Sequence, residues 1–109
     1  ALGDIGKHFP DSDARWKGVD SRVLLRAVRD TVRESGWALV NADVTVVAQR
    51  PRIAPFTPEM RRRLAADLGV EEGRISIKAT TSERMGALGR EEGIGVWAVA
   101  LLCARPAAR

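Results

Sequence analysis

The sequence predicts an α+β protein: a mixed β-sheet with helices on one face, and sheet faces packed together between copies of the chain. Three observations carry this. Two helical stretches, after Asp20 and after Thr57, alternate with β-rich stretches, the order of strand and helix units that build a sheet. Ile75 and Ile77 alternate with Ser76 and Lys78, the period of a half-buried strand. The run Gly95–Ala104 is apolar on both alternating sets, Val96, Ala98, Ala100 and Leu102 on one side and Trp97, Val99, Leu101 and Cys103 on the other. Such a strand is covered on both faces. Two helices cover only one, so a partner subunit is the simplest cover for the second.

The chain has 109 residues, 45% hydrophobic and 29% charged, which suits one soluble domain with one core. No apolar run approaches the ~18 residues of a membrane span. The N-terminus Ala-Leu-Gly-Asp lacks the basic and apolar regions of a signal peptide. The single cysteine, Cys103, cannot form an internal disulfide and fits a reducing cytoplasm. Net charge is +4, and 15 of the 18 basic residues are arginine. A basic balance raises a nucleic-acid-binding module as an alternative. Against it, the arginines are dispersed, aromatics are few, and no RRM, KH or zinc-finger pattern appears. Anionic small molecules are the better use of the surplus.

Residues 1–18 show little periodicity, and Phe9-Pro10-Asp11-Ser12-Asp13 reads as a loop. His8, the only histidine, has no Cys or His neighbour and reads as a surface residue. Asp20 or Ser21 caps a helix with Leu24, Leu25, Val28 and Val32 as its apolar stripe and Gly36 after its end. Arg22, Arg26, Arg29 and Arg33 are expected on the solvated side. A strand follows over Trp37 to Gln49, rich in valine, and Pro51 terminates pairing. Thr57 as N-cap and Pro58 at the first position open a second helix, with Met60, Leu64 and Leu68 buried and Gly69 ending it. Arg61, Arg62 and Arg63 face solvent, a weak local argument for RNA. Arg105-Pro106-Ala107-Ala108-Arg109 is expected to fray.

The chemistry concentrates between Ser76 and Gly95. The strand pattern stops at Ala79, and Thr80, Thr81 and Ser82 set three hydroxyls before the carboxylate of Glu83. Gly86, Gly89, Gly93 and Gly95 follow, with Arg90 and Glu92 between them. Hydroxyls and free backbone N–H groups at a strand's end suit phosphate oxygens, and an adjacent carboxylate suits a hard divalent cation. The same residues also suit a plain capped turn, and no GxxxxGK[ST] loop is present.

Three blocks resemble one family. Lys78-Ala79-Thr80-Thr81-Ser82-Glu83 with Gly89-Arg90-Glu91-Glu92-Gly93-Ile94, the opening Ala1-Leu2-Gly3-Asp4-Ile5-Gly6-Lys7-His8-Phe9-Pro10-Asp11-Ser12-Asp13, and Asp43-Val44-Thr45-Val46-Val47-Ala48-Gln49 followed by Pro51 resemble the 2-C-methyl-D-erythritol 2,4-cyclodiphosphate synthases. The resemblance implies a phosphorus–oxygen lyase of the non-mevalonate route to isoprenoids, a homotrimer with active sites between subunits. Its substrate would be 4-diphosphocytidyl-2-C-methyl-D-erythritol 2-phosphate, closed to a cyclic diphosphate with release of CMP. A nucleotide-binding regulatory domain without catalysis is the other alternative.

By resemblance, Asp4, Ile5 and Gly6 hold the methylerythritol moiety, and Phe9, Pro10, Asp11, Ser12 and Asp13 cover it. Ala48, Gln49, Arg50, Pro51, Arg52, Ile53 and Ala54 form the cytidine pocket, with Arg52 where the family usually has Lys. Thr81 is the implied catalytic donor to the phosphoryl oxygens, Thr80 and Ser82 complete the phosphate end, and Glu83 holds Mg²⁺ or Mn²⁺. Ser82 replaces the family's Thr, and Ala87 stands beside the ligand where Phe is frequent. Arg90 and Glu92 correspond to residues lining the trimer axis. The family's zinc ligands, an Asp-x-His pair and a second His, have no counterpart here; they are expected upstream of Ala1, making these residues the C-terminal portion of a longer synthase, poorly active alone.

Overall fold

A computed structural model describes residues 2–105. In chain order it contains α1 (Ile5–His8), α2 (Ser21–Glu34), β1 (Trp37–Val47), α3 (Thr57–Leu68), β2 (Ile75–Thr80), α4 (Gly86–Gly89) and β3 (Gly95–Ala104). Single turns of 3-10 helix at Ala14–Trp16, Ala54–Phe56 and Glu72–Arg74 join them. The sheet runs β2-β1-β3, with β1 parallel to β2 and antiparallel to β3. The expected mixed sheet is therefore present, with three strands.

Local chemistry accounts for most boundaries. Asp20 caps α2, its carboxylate accepting from the Arg22 amide at 2.8 Å. Gly69 ends α3 in the left-handed region. The N-cap of α3 is Phe56 rather than Thr57, because the Thr57 hydroxyl donates backward to the Ala54 carbonyl at 3.0 Å. β1 ends at Val47, two residues before the expected Gln49, where the loop toward Pro51 begins. β2 continues past Ala79 to Thr80, since parallel pairing persists to Val47↔Thr80. α1, a single helical turn, forms where no periodicity signalled one.

One sheet face carries Ala42, Val44 and Val46 of β1 beside Ile75, Ile77 and Ala79 of β2. α3 lies against β2 and α2 against β1, and Val46, Ala65 and Ile75 are buried there. Fully burying one large apolar side chain such as Val46 or Ile75 contributes about 1.5–3 kcal/mol. The opposite face carries Asp43, Thr45, Ser76, Lys78 and Thr80 with Trp97 and Val99 of β3, and Lys78 pairs with Asp43 at 2.9 Å. Neither side of β3 is covered among the described residues: Val96 is 57% exposed, Trp97 60% and Val99 74%.

The arginine face of α2 differs from the expectation. Arg22 Nε and Nη2 donate to both carboxylate oxygens of Asp67 at 2.7 and 3.0 Å, and Arg26 adds a bond at 3.0 Å. Arg29 Nη1 donates to the Asp67 carbonyl at 2.7 Å. Asp67, on α3, is buried, so these arginines face the helix pair instead of open solvent. A buried carboxylate without counter-charge would be costly, and that cost selects the orientation. On α3 the arginines behave as anticipated: Arg62 and Arg63 pair with Glu59, and Arg61 lies near Glu72.

Arg22 first, then Arg26, holds the Asp67 carboxyl below its ordinary value despite burial. The pair's contribution is complete above the unfolded value near ~3.9 and is lost as pH falls through the lower folded value. Asp67→Asn should destabilise the fold by about 2 kcal/mol at neutral pH, discounted for the half-exposed arginines. Urea unfolding checks this, with the gap from the parent narrowing below about pH 4.

Candidate functional site

Two parallel strands deliver the implicated loops to one end of the sheet. Ligands of α/β sheets favour the carboxyl ends of such strands. β1 leaves into Ala48–Ala54 and β2 into Thr81–Glu83, and the Ala48 amide donates to the Thr80 carbonyl at 3.0 Å. Ala48 is buried, which anchors the root of the first loop. Beyond it, Gln49 Oε1 accepts from the Arg84 amide at 3.2 Å, and Arg50 pairs with Glu91 at 3.2 Å. The predicted cytidine loop and phosphate end are thus neighbours.

The turn that follows β2 is tight. The Met85 amide donates to the Ser82 carbonyl at 3.0 Å, with Glu83 and Arg84 between them at φ 56° and 62°. Two positive φ values at the centre make a type I′ turn, which favours Asn and Gly. Left-handed backbone costs these residues about 1–2 kcal/mol each. A Cβ on Gly89 would collide with the Arg84 backbone at its carbonyl carbon, so only glycine admits this packing.

The hydroxyls fall into distinct roles. Thr81 Oγ1 accepts from the Glu83 amide at 3.2 Å, which leaves its proton free to donate. Ser82 Oγ donates to the Met85 carbonyl at 2.8 Å, so its proton is committed to the turn. Thr80 Oγ1 makes only a long contact of 3.4 Å to the Thr81 carbonyl. Glu83 is exposed, beside these groups in sequence. Ala87 is exposed on α4, and Arg90 pairs with Glu92 at 3.0 Å within the chain. Arg52 and Pro51 are exposed on the first loop, while Ile53 is half-buried.

The N-terminal candidates stand apart. Asp4 occupies the N-cap of α1, yet its side chain makes no capping bond, and among the described residues its carboxylate has no hydrogen-bond partner. Its Oδ2 lies 2.9 Å from where a Cβ on Gly6 would be, so a side chain at Gly6 would displace it. Asp13, in contrast, is held by Arg15, whose guanidinium bonds both oxygens and lowers its pKa. Phe9 meets Trp16 edge-to-face at 5.0 Å, with Pro10, Asp11 and Ser12 between them in the chain. Ile5, Phe9 and His8 border a hollow of about 190 Å³ against Val28 and Thr31 of α2. His8 is exposed as expected, donating from Nε2 to the Leu2 carbonyl at 2.7 Å. Among the described residues, no hydrogen bond joins residues 4–13 to either loop at the sheet's end.

Sequence reasoning missed the Gln49–Arg84 bond and the seat of Arg84 on Gly89. Ser-Glu-Arg-Met lacks glycine at the left-handed positions, so a turn is an open reading there but its left-handed form carries no signal; only the later Gly89 hints at a close approach.

Geometry defines the class: a small α+β protein whose hydroxyls, one open carboxylate and a polar loop gather at the carboxyl ends of two parallel strands. Residues 1–103 match the profile of the YgbB family. The 2-C-methyl-D-erythritol 2,4-cyclodiphosphate synthase of Pseudomonas aeruginosa is 60% identical over 105 residues, covering 96% of this chain and 67% of the relative. Bifunctional IspDF from Campylobacter jejuni superposes with TM-score 0.85 at 42% identity, covering 93% of this chain and 27% of that one. The CDP complex of IspF from Plasmodium falciparum gives TM-score 0.81 at 28% identity, covering 95% and 62%. This chain belongs to the YgbB family, whose relatives named here are cyclodiphosphate synthases. It spans about two-thirds of the length of the curated relatives it matches.

Gly89→Ala forces the Arg84 backbone off its seat and should cost about 1–3 kcal/mol. Urea unfolding measures the loss, and amide shifts confined to residues 82–90 would place it in the turn.

Proposed function

We propose that the chain carries the cytidine and phosphate end of a 2-C-methyl-D-erythritol 2,4-cyclodiphosphate synthase of isoprenoid biosynthesis. The carrying observation is the Thr81 hydroxyl, whose oxygen accepts from the Glu83 amide and whose proton is uncommitted, on a turn clasped to Gln49 of the Ala48–Ala54 loop. The substrate is 4-diphosphocytidyl-2-C-methyl-D-erythritol 2-phosphate. An oxygen of its 2-phosphate attacks the β-phosphorus, the bond from β-phosphorus to the bridging oxygen breaks, and CMP departs with that electron pair. The nucleophile belongs to the substrate, so the protein's work is bending it and stabilising charge.

Thr81 donates its proton as a hydrogen bond to the phosphoryl oxygens as charge builds there. A cytidine nucleotide as ligand is supported by the CDP complex of the Plasmodium falciparum relative; backbone groups of Ala48–Ala54 read the pyrimidine edge, and Arg52 supplies positive charge while Arg50 is paired with Glu91. Glu83 fits one protein ligand of Mg²⁺ or Mn²⁺, cations that complete their shell with phosphate oxygens and water. When bound, such a cation polarises the diphosphate. Among the described residues no three His, Cys, Asp or Glu side chains are grouped as a metal site, so these residues do not fit the three-ligand zinc site and no step is assigned to it.

Asp4 and the Phe9–Asp13 loop, separated from the clasp within one chain, would meet it across a subunit boundary. A homotrimer closed sheet to sheet supplies that boundary and covers β3. No helix among the described residues is long and apolar enough to cross a membrane, and a lone exposed Cys103 suits the cytoplasm.

In the full-length synthase, Glu83→Gln should reduce CMP release by about two to three orders of magnitude, as for loss of a group acting on transition-state charge. Unchanged turnover at limiting Mg²⁺ removes Glu83 from the role. Sedimentation of the full-length protein at micromolar concentration should return a trimer. A folded monomer would sink the shared site.

A further inference from the structure

We propose that Gln49 is a positioning residue for the phosphate end: by accepting from the Arg84 amide, its side chain holds the left-handed Glu83–Arg84 turn and so sets where Glu83 and Thr81 stand. The inference rests on the functional reading above. Within the turn, the Glu83 amide bonds Thr81 Oγ1 at 3.2 Å and the Met85 amide bonds the Ser82 carbonyl at 3.0 Å. The Arg84 amide has no partner inside the turn; its partner is Gln49 Oε1, 35 residues away in sequence.

Gln49 suits the task because its own root is fixed. It follows Ala48, buried and bonded through its amide to the Thr80 carbonyl at 3.0 Å. The Gln49 side chain is therefore a strut between two adjacent strand ends. From the other side, the chain at Gly89 presses against the Arg84 backbone so closely that a Cβ would not fit between them. Both central residues are non-glycine at positive φ, so without the strut they relax toward commoner backbone regions. Relaxation swings the Glu83 side chain and withdraws the Glu83 amide from Thr81. Gln49 then acts on the cation and phosphoryl groups through backbone, not by touching them.

The test uses the full-length protein as wild type, Gln49→Ala and Gln49→Glu, the last retaining an oxygen acceptor. Arg84 amide exchange is read by NMR without ligand, Mn²⁺ affinity by electron paramagnetic resonance, and CMP affinity by calorimetry. Gln49→Ala should speed Arg84 exchange and weaken Mn²⁺ binding by about tenfold each, the scale of one hydrogen bond; CMP affinity should fall less, because the loop's backbone and not the Gln49 side chain reads the pyrimidine. Gln49→Glu should restore both. Wild-type exchange and Mn²⁺ affinity in Gln49→Ala overturn the proposal, as does a Gln49→Glu variant as impaired as the alanine. A parallel loss of CMP affinity overturns it too, making Gln49 a direct nucleotide contact. If Glu83→Gln leaves Mn²⁺ binding intact, the metal reading fails separately, while Arg84 exchange still judges the strut.

Discussion

The parallel pairing of β1 with β2 is the constraint on which the rest depends. Parallel strands need a crossover, here α3, and both strands then leave the sheet at the same end. Pairing runs to Val47↔Thr80 and one bond further, from the Ala48 amide to the Thr80 carbonyl. That last bond brings together two loops far apart in the sequence. Gln49 and Arg50 then reach Arg84 and Glu91 as a matter of geometry.

The return to β3 imposes the second constraint. Because β3 runs antiparallel to β1 and its Gly95 pairs with Val47, the connection from Thr80 must double back close to where it began. Glu83, Arg84 and Glu91 adopt left-handed backbone in that short space, and α4 lies under Arg84 with only hydrogen at Gly89. Strain of this kind persists only where surrounding contacts over-determine it. Here the contacts are the turn's own bonds, the Gln49 strut and the Gly89 seat. The outcome is a Thr81 hydroxyl whose proton remains unspent.

Paired charge holds the elements together. Arg22, Arg26 and Arg29 converge on Asp67 and fix α2 to α3. Arg62 and Arg63 are occupied by Glu59, whose carboxyl they hold down to about 2. At the sheet's end Arg50 is paired with Glu91 and Arg90 with Glu92. β3 is different in kind, an apolar edge strand with both sides uncovered among the described residues. An edge of this sort invites association, which joins the assembly proposal to the separation of the N-terminal segment from the clasp.

The sequence by itself determined the strands, the two long helices and the run of hydroxyls before a carboxylate after β2. Period-two alternation marked Ile75 and Ile77, the two-sided apolar run marked β3 with its observed bounds, and Thr80–Glu83 advertised hydroxyls next to a carboxylate. These are local patterns, set by side-chain spacing along one element. What only tertiary structure decided involves partners distant in the chain. The arginine stripe of α2 looked solvated because Asp67, far along the chain, cannot be seen to face it until the helices pack. The Thr57 cap failed because its hydroxyl found the Ala54 carbonyl instead. The left-handed turn went unread because its residues do not favour it; packing against Gly89 and the bond from Gln49 impose a backbone that local propensity alone would not choose.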